Sequence, residues 1–282
     1  MLRHAGRTRA LAVNPRRVPF DVSLGKDAAG HTVAVFSRCR KEQDGPGSLP
    51  GGLPTYAAFS DCRVRIVNVN RGKERAVQLR ADAGISSRFM PAITGSRLAY
   101  AGLYRRRSKL QQGVFTQLIG HNRVARKLRG GTSGGAPEDG PLSVSFDRRH
   151  VLYAWRTIEA PCTDPEDILG QTTELWRDNV RDRAGHRLIR RAGCPTDSAT
   201  ALQSPIRVGG AVAFVETFGD LQTRIVRYNV SLRTFEISPA PRPISAIAFE
   251  ATGERALTIS PIGAHSARLQ RLTLPVSQAP ST

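Results

Sequence analysis

The chain has 282 residues, 40% of them apolar, with 26 glycines and 18 prolines. That length can bury one sizeable core. The scattered glycines and prolines leave few windows for a long amphipathic helix, and no apolar run approaches the roughly 18 residues of a membrane-spanning helix. The formal net charge of +19 rests on five lysines and 37 arginines spread along the whole sequence. Its densest clusters, Arg105-Arg106-Arg107 and Arg187 with Arg190-Arg191, are not interleaved with aromatic residues that would stack bases. The charge therefore reads as solvated faces and a broad arginine bias, and specific nucleic-acid binding is not expected.

In chain order, residues 9–13 read as a short strand and 14–20 as a turn region, followed by a strand at 21–24 that ends in Lys26-Asp27-Ala28-Ala29-Gly30. The partly alternating run 33–38 precedes a segment rich in turn formers, 43–52. A strand at 63–70 and a hairpin partner at 74–79 then follow, joined by a turn at 70–73. A second unit opens at 89–93, turns at Thr94-Gly95-Ser96, continues through 97–101 and 114–119, and turns at 120–123 into 124–128. A polar linker at 130–135 leads to a third unit with strands at 142–146 and 151–155. Its middle, 156–174, reads as the longest irregular piece; the sheet resumes at 173–176, and a later partner lies near 187–189. Residues 204–238 form a fourth unit and 244–274 a fifth.

These units share a weak pattern: an opening strand, a glycine or aspartate turn, an aromatic-containing strand, a gap and a basic strand. Recurrence of short strands with turn residues at each junction predicts an all-β fold, a β-propeller rather than a β-sandwich. A sandwich would explain the alternation but not the recurrence. The expected organisation is one domain over 1–282, with blades near 7–24 (partial), 20–79, 85–128, 142–191, 204–238 and 244–274.

Four cysteines fall into two neighbouring pairs, Cys39 with Cys62 and Cys162 with Cys194, each bracketing a turn-rich segment. Two local disulfides are expected, each worth on the order of 3 kcal/mol in the chain-entropy account. Such bonds point to an oxidising compartment. Residues 1–20 carry no apolar run of signal-peptide length. The expectation is an extracytoplasmic protein if the true start lies upstream of Met1, and a cytoplasmic one if Met1 is genuine.

The runs RVPFDVSLGKDAAGHTVAVFSRC and CRVRIVNVNRGKERAV, with GSRLAYA and VSFDRRHVLYAWR after them, resemble a group of uncharacterised actinobacterial proteins of the TolB-like or WD40-like β-propeller class. The likeness is best from residue 9 to 155. It implies six blades, with residues 7–13 as the outer part of a first blade whose inner strands are missing from this sequence, which would leave an exposed sheet edge. It carries no established catalytic residues, so none is transferred.

Candidate chemistry is sparse. Gly131-Thr132-Ser133-Gly134-Gly135 fits the G-x-S-x-G pattern, but it runs into Ala136-Pro137-Glu138 rather than a helix and reads as a linker. The histidines His4, His31, His121, His150, His186 and His265 stand singly and without metal-site spacing, so no metal or other cofactor is expected. Asp164, Glu166 and Asp167 lack the calcium-loop pattern. Lying between Cys162 and Cys194, they make the most reasonable partner-binding edge, with an exposed acidic loop as the plainer account. Tyr100, Tyr153, Trp155, Phe214 and Phe36 read as packing between sheets. Asn229-Val230-Ser231 is a formal glycosylation acceptor.

The leading expectation is a non-catalytic, monomeric binding or scaffold propeller, contacting a protein or cell-envelope component through loops at one end. The rival is an extracytoplasmic glycan-active hydrolase or lyase, which needs a carboxylate pair in the central channel.

Overall fold

Short strands joined by tight turns account for the regular structure of the chain. The computed structural model describes residues 2–4, 7–9, 21–39, 41–42, 59–80, 84–107, 109–131, 139–161, 169–182, 185–193, 201–218, 222–240, 244, 246–249, 255–263 and 266–274. Among these residues there are 23 strands and no helix. β1 (Leu2–His4) and β2 (Arg7–Arg9) form a separate hairpin. The first unit contains β3 (Val22–Asp27), β4 (Thr32–Arg38), β7 (Arg63–Asn68) and β8 (Glu74–Ala76), with β5 (Lys41–Glu42) and β6 (Phe59–Ser60) paired to one side. The second is the meander β9 (Ile85–Gly95), β10 (Arg97–Arg106), β11 (Lys109–Leu118) and β12 (Arg126–Gly130). The third is β13 (Gly140–Asp147), β14 (His150–Pro161), β15 (Leu169–Asn179) and β16 (Gly185–Gly193). The fourth is β17 (Ala201–Val208), β18 (Ala211–Phe218), β19 (Gln222–Asn229) and β20 (Thr234–Pro239). The fifth has three strands, β21 (Ala246–Phe249), β22 (Arg255–Gly263) and β23 (Ser266–Thr273).

The first strands of successive units are neighbours. β3 pairs in parallel with β9 through Lys26↔Thr94 and Asp27↔Gly95, which joins the first two units into one eight-stranded sheet. β9 lies against β13, β13 against β17, and β17 against β21. Antiparallel sheets thus stand side by side behind a row of first strands, a propeller-like arrangement. The parallel contact is tight at Gly25, where a Cβ would run into the carbonyl oxygen of Ile93. Any side chain there pushes the two units apart.

The cores lie between units, as strand alternation requires. Tyr100, Tyr153 and Phe214, on the second strands β10, β14 and β18, are buried against the preceding unit, while their neighbours Ala99, Ala154 and Val215 pack on the following one. Complete burial of one such aromatic contributes roughly 1.5–3 kcal/mol. Phe36 sits on the corresponding face of β4 with Ala34 and Val67. On that same face Val22 and Leu24, in register with Phe36 and Ala34, are 53% and 61% exposed.

Two local devices recur. Pro91, Pro141 and Pro205 each occupy a first strand beside a register shift, and Met90 and Ser204 immediately before two of them have φ of 49°. A first strand has no ladder partner within its own unit on one side, so the missing N–H is tolerated there. Asn68, Asn179 and Asn229 end the third strands, and each side-chain oxygen accepts from backbone N–H groups two or three residues on. After Asn68 and Asn179, the next residue's N–H donates to a carbonyl at the junction of the first two strands: Val69 to Thr32, the first residue of β4, at 3.0 Å and Val180 to Arg149 in the turn before β14 at 2.9 Å.

The irregular middle expected for the third unit is shorter than the sequence indicates. β14 runs on to Pro161 and β15 begins at Leu169, with Thr157↔Thr172 and Ile158↔Gln171 in register. The β-branched residues Thr157, Ile158, Thr172 and Thr173 favour this extension. The direct partner of β14 is therefore β15, and residues 187–189 lie one strand further out in β16.

Candidate functional site

The strongest concentration of chemistry lies between the second and third units. Glu174 on β15 stands opposite Trp155 on β14, and its side chain is only 9% exposed. Its carboxylate accepts from Arg129 Nη2 at 2.9 Å, Arg187 Nη1 at 3.0 Å and Trp176 Nε1 at 2.9 Å. Arg129 comes from β12, the outermost strand of the preceding unit. Its guanidinium lies over both tryptophans of the chain, 4.9 Å from the Trp155 ring and 4.3 Å from Trp176. Burial pushes the Glu174 carboxyl up, but hydrogen bonds from Trp176 and Arg187 and the charges of Arg129 and Arg187 outweigh it, so the group stays below the ordinary carboxylate range.

Further along the same face, Tyr153 donates its hydroxyl to Asp178 Oδ2 at 2.6 Å. Burial raises the Asp178 carboxyl, partly opposed by the Tyr153 hydrogen bond and by Arg126 and Arg129. Burial and the Asp178 charge raise the Tyr153 phenol as well. This pair is a protonatable acid held by a neutral phenol.

Two other carboxylates repeat the double-arginine arrangement. Glu216 on β18 is 1% exposed and accepts from Arg191 Nε at 2.9 Å and Arg224 Nε at 2.5 Å. Arg191 comes from β16, again the outermost strand of the preceding unit, and lies 5.7 Å from the Phe235 ring. Glu74 on β8 is held by Arg38 in a two-pronged contact at 2.7 and 2.9 Å, and by Arg65 at 2.9 Å. These hydrogen bonds, Arg38's first, hold the Glu74 carboxyl below its ordinary value despite burial. Here both arginines belong to the same unit as the carboxylate. Carboxylates saturated in this way are acceptors between strands and sheets; held ionised, Glu74 and Glu174 are poor proton donors.

The junction between the first two units is built differently. Tyr100 stacks on Phe115 at 5.8 Å, Tyr104 meets Phe115 edge-on at 5.6 Å, and Val33, Val35, Val64 and Ile66 pack against them. Cys39 and Cys62 are joined in a disulfide, S–S 2.05 Å, and pack with Phe89 and Met90. The peptide N–H of Cys62 donates to Ser87 Oγ at 2.8 Å, which ties the bridge to β9.

The residues singled out from sequence are not brought together here. Asp164, Glu166, Asp167, Cys162, Cys194, Ser133 and His265 lie outside the described residues. His31 faces Asp27 at 3.3 Å in an exposed turn, and His121 is exposed. Among the described residues the buried Nδ1 of His150 has no partner, and burial with Arg177 and Arg207 lowers its pKa. Among the described residues, no group of three His, Cys, Asp or Glu side chains could hold a metal. The Glu174, Glu216 and Glu74 clusters were missed in the sequence; their one signal is a glutamate on an otherwise apolar or β-branched strand beside arginine-rich neighbours.

No family model matches the chain, and no curated protein sequence does. Among solved structures it is similar to TolB from Acinetobacter baumannii, with a TM-score of 0.50 and 14% identity over 88% of this chain and 51% of that one. Looser likenesses, which carry no argument, include a prolyl endopeptidase (TM-score 0.47, 13% identity, 91% of this chain and 36% of that). Another is an oligogalacturonate lyase from Vibrio parahaemolyticus (TM-score 0.45, 11% identity, 91% and 83%). The chain spans about half the length of the TolB chain it matches, and the likeness shows a distant TolB-like propeller fold.

Proposed function

We propose that this chain is an extracytoplasmic, monomeric binding propeller, one domain over 1–282, that holds a protein or cell-envelope component at one end. Its blades are taken at 7–24 (partial), 20–79, 85–128, 142–191, 204–238 and 244–274, closing as six. The observation that carries the binding reading is the asymmetry of the connections. The connections 39–62, 77–84 and 131–139 all leave the end at which second strands finish and new units begin, whereas the opposite end has short turns such as 28–31, 148–149 and 209–210. Long loops on a rigid sheet scaffold are where binding residues concentrate. The Cys39–Cys62 bridge stiffens the first of these connections and supports an oxidising compartment. Asp164, Glu166 and Asp167, between Pro161 and Leu169 in sequence, are its proposed partner-binding acids.

The test uses the full chain and cell-envelope fractions, with charge reversals at the two ends. Arg106→Glu with Arg107→Glu alters the loop-bearing end, and Arg71→Glu with Lys73→Glu the turn end. Loss of binding in the first variant alone supports the reading; retention in the first, or loss in the second alone, overturns it.

A second reading, a glycan-active hydrolase or lyase, is favoured by one arrangement: Asp178, a carboxyl raised by burial, is held by the Tyr153 hydroxyl at 2.6 Å, which suits a proton-donating acid. Turnover of polysaccharides that disappears in Asp178→Asn, with folding unchanged, would establish it. Equal turnover in both proteins would remove Asp178 from the chemistry.

A further inference from the structure

We infer that Arg88, at the first junction, is a recognition residue for the oxyanion of a small ligand, a carboxylate or a phosphate. Arg88 stands on β9 opposite Gly102, its backbone N–H donating to Cys62 O at 2.8 Å. The disulfide-linked Cys62 thus holds this main chain on one side, and the ladder to Gly102 holds it on the other. The guanidinium lies 5.8 Å from the centre of the Tyr100 ring. Its Nε and Nη2 are shut off from solvent and, among the described residues, have no hydrogen-bond partner. A guanidinium cannot escape this cost by losing a proton, so the desolvation of its N–H groups is left uncompensated in the ligand-free chain.

Comparison with the other units shows that the fold does not require this. By register, the position of Arg88 opposite Gly102 corresponds to Leu202 opposite Glu216 in the fourth unit. Leu202 is fully buried and packs with Phe214. An apolar side chain thus fills the same place where only packing is needed. The next two junctions also give their crossing arginine a carboxylate, Glu174 for Arg129 and Glu216 for Arg191. Among the described residues none pairs with Arg88 in this way. A buried polar group without a partner calls for an explanation, and the planar fork of a guanidinium matches a carboxylate or phosphate in two-pronged geometry.

Arg88 lies in the first half of β9, which enters its sheet from the loop-bearing end. The side chain as a whole is partly exposed, so its outer edge can meet a ligand and be drawn toward it. This inference rests on the reading of the chain as a binding module and adds the chemistry of the ligand.

The test is thermal unfolding and calorimetric titration of the full chain with succinate, inorganic phosphate and chloride at matched ionic strength, using Arg88→Leu and Arg88→Lys. Without ligand, Arg88→Leu is expected to melt about 2–4 °C above the parent chain, the shift of roughly 1 kcal/mol in a protein of this size. The parent should show a saturable gain with succinate or phosphate, reduced in Arg88→Lys and absent in Arg88→Leu. The anion that produces it identifies the source of the oxyanion. Three results would overturn the assignment: no saturable gain with either anion, a gain that persists in Arg88→Leu and so reports an adventitious ion only, or an Arg88→Leu protein that melts below the parent. Envelope binding is a separate readout: if it is retained in the loop-end variant while the anion gain is present in the parent chain, only the broader functional reading fails.

Discussion

The junction between the first two units and the two that follow join similar sheets by different means. At the first, continuity comes from the parallel β3–β9 pair, an apolar and aromatic core and a disulfide. At the next two, an arginine from an outermost strand crosses to a buried glutamate and lies over aromatic rings. Packing dominates the first and tolerates salt and acid. Charge pairing adds geometric specificity to the others, but each partner becomes costly if the other is removed.

The largest test of this contrast is Glu174→Ala. It leaves Arg129 over Trp155 and Trp176 without its carboxylate, and a loss of about 3–5 kcal/mol is expected by denaturant titration. A loss below about 1 kcal/mol would show that the tryptophan stacking, not the ion pair, holds the junction. On the other side, Cys39→Ser with Cys62→Ser should cost about 3 kcal/mol, the chain-entropy value for its sequence separation of 23. Gly25→Ala should cost about 1–3 kcal/mol, because the added Cβ meets the Ile93 backbone rather than a side chain that can swing aside.

The smallest expected effect is a pH dependence, and its sign differs among the carboxylates. Glu174 and Glu74 have folded pKa values below that of an ordinary unfolded-chain glutamate, so their contribution is present above the unfolded value and is lost as pH falls through the folded pKa. Asp178, raised by burial, acts oppositely: its ionisation weakens the fold above its raised pKa, and acid relieves this. Melting curves from pH 7 to pH 3 should fall less steeply in Glu174→Gln than in the parent chain. An unchanged slope would mean that Glu174 is not the titrating group.

Much of the strand inventory was legible because β-branched and aromatic residues alternate between turn formers. The 151–155 run lies in β14 and 211–215 in β18, as alternation indicates. The recurring Asn-Val at 68–69, 179–180 and 229–230 is an equally plain signal, disguised because only the third copy has the serine that makes it resemble an acceptor site. Its use in the structure is to close a turn. The extension of β14 and β15 is hidden by Pro161 and Pro165 and by the acids Asp164, Glu166 and Asp167 around Pro165, which look like a loop from residue 156 onward.

Sequence by itself determined most of the strands, their turns and the aromatic positions, since those depend on local alternation and backbone preference. The Cys39–Cys62 pairing was also accessible from spacing along the chain. Only the tertiary structure decided which arginine meets which glutamate, because Arg129 and Glu174, or Arg191 and Glu216, come from different units at separations with no fixed period. The same holds for Arg88, whose lack of a partner is a property of everything packed around it rather than of its own neighbours in the chain.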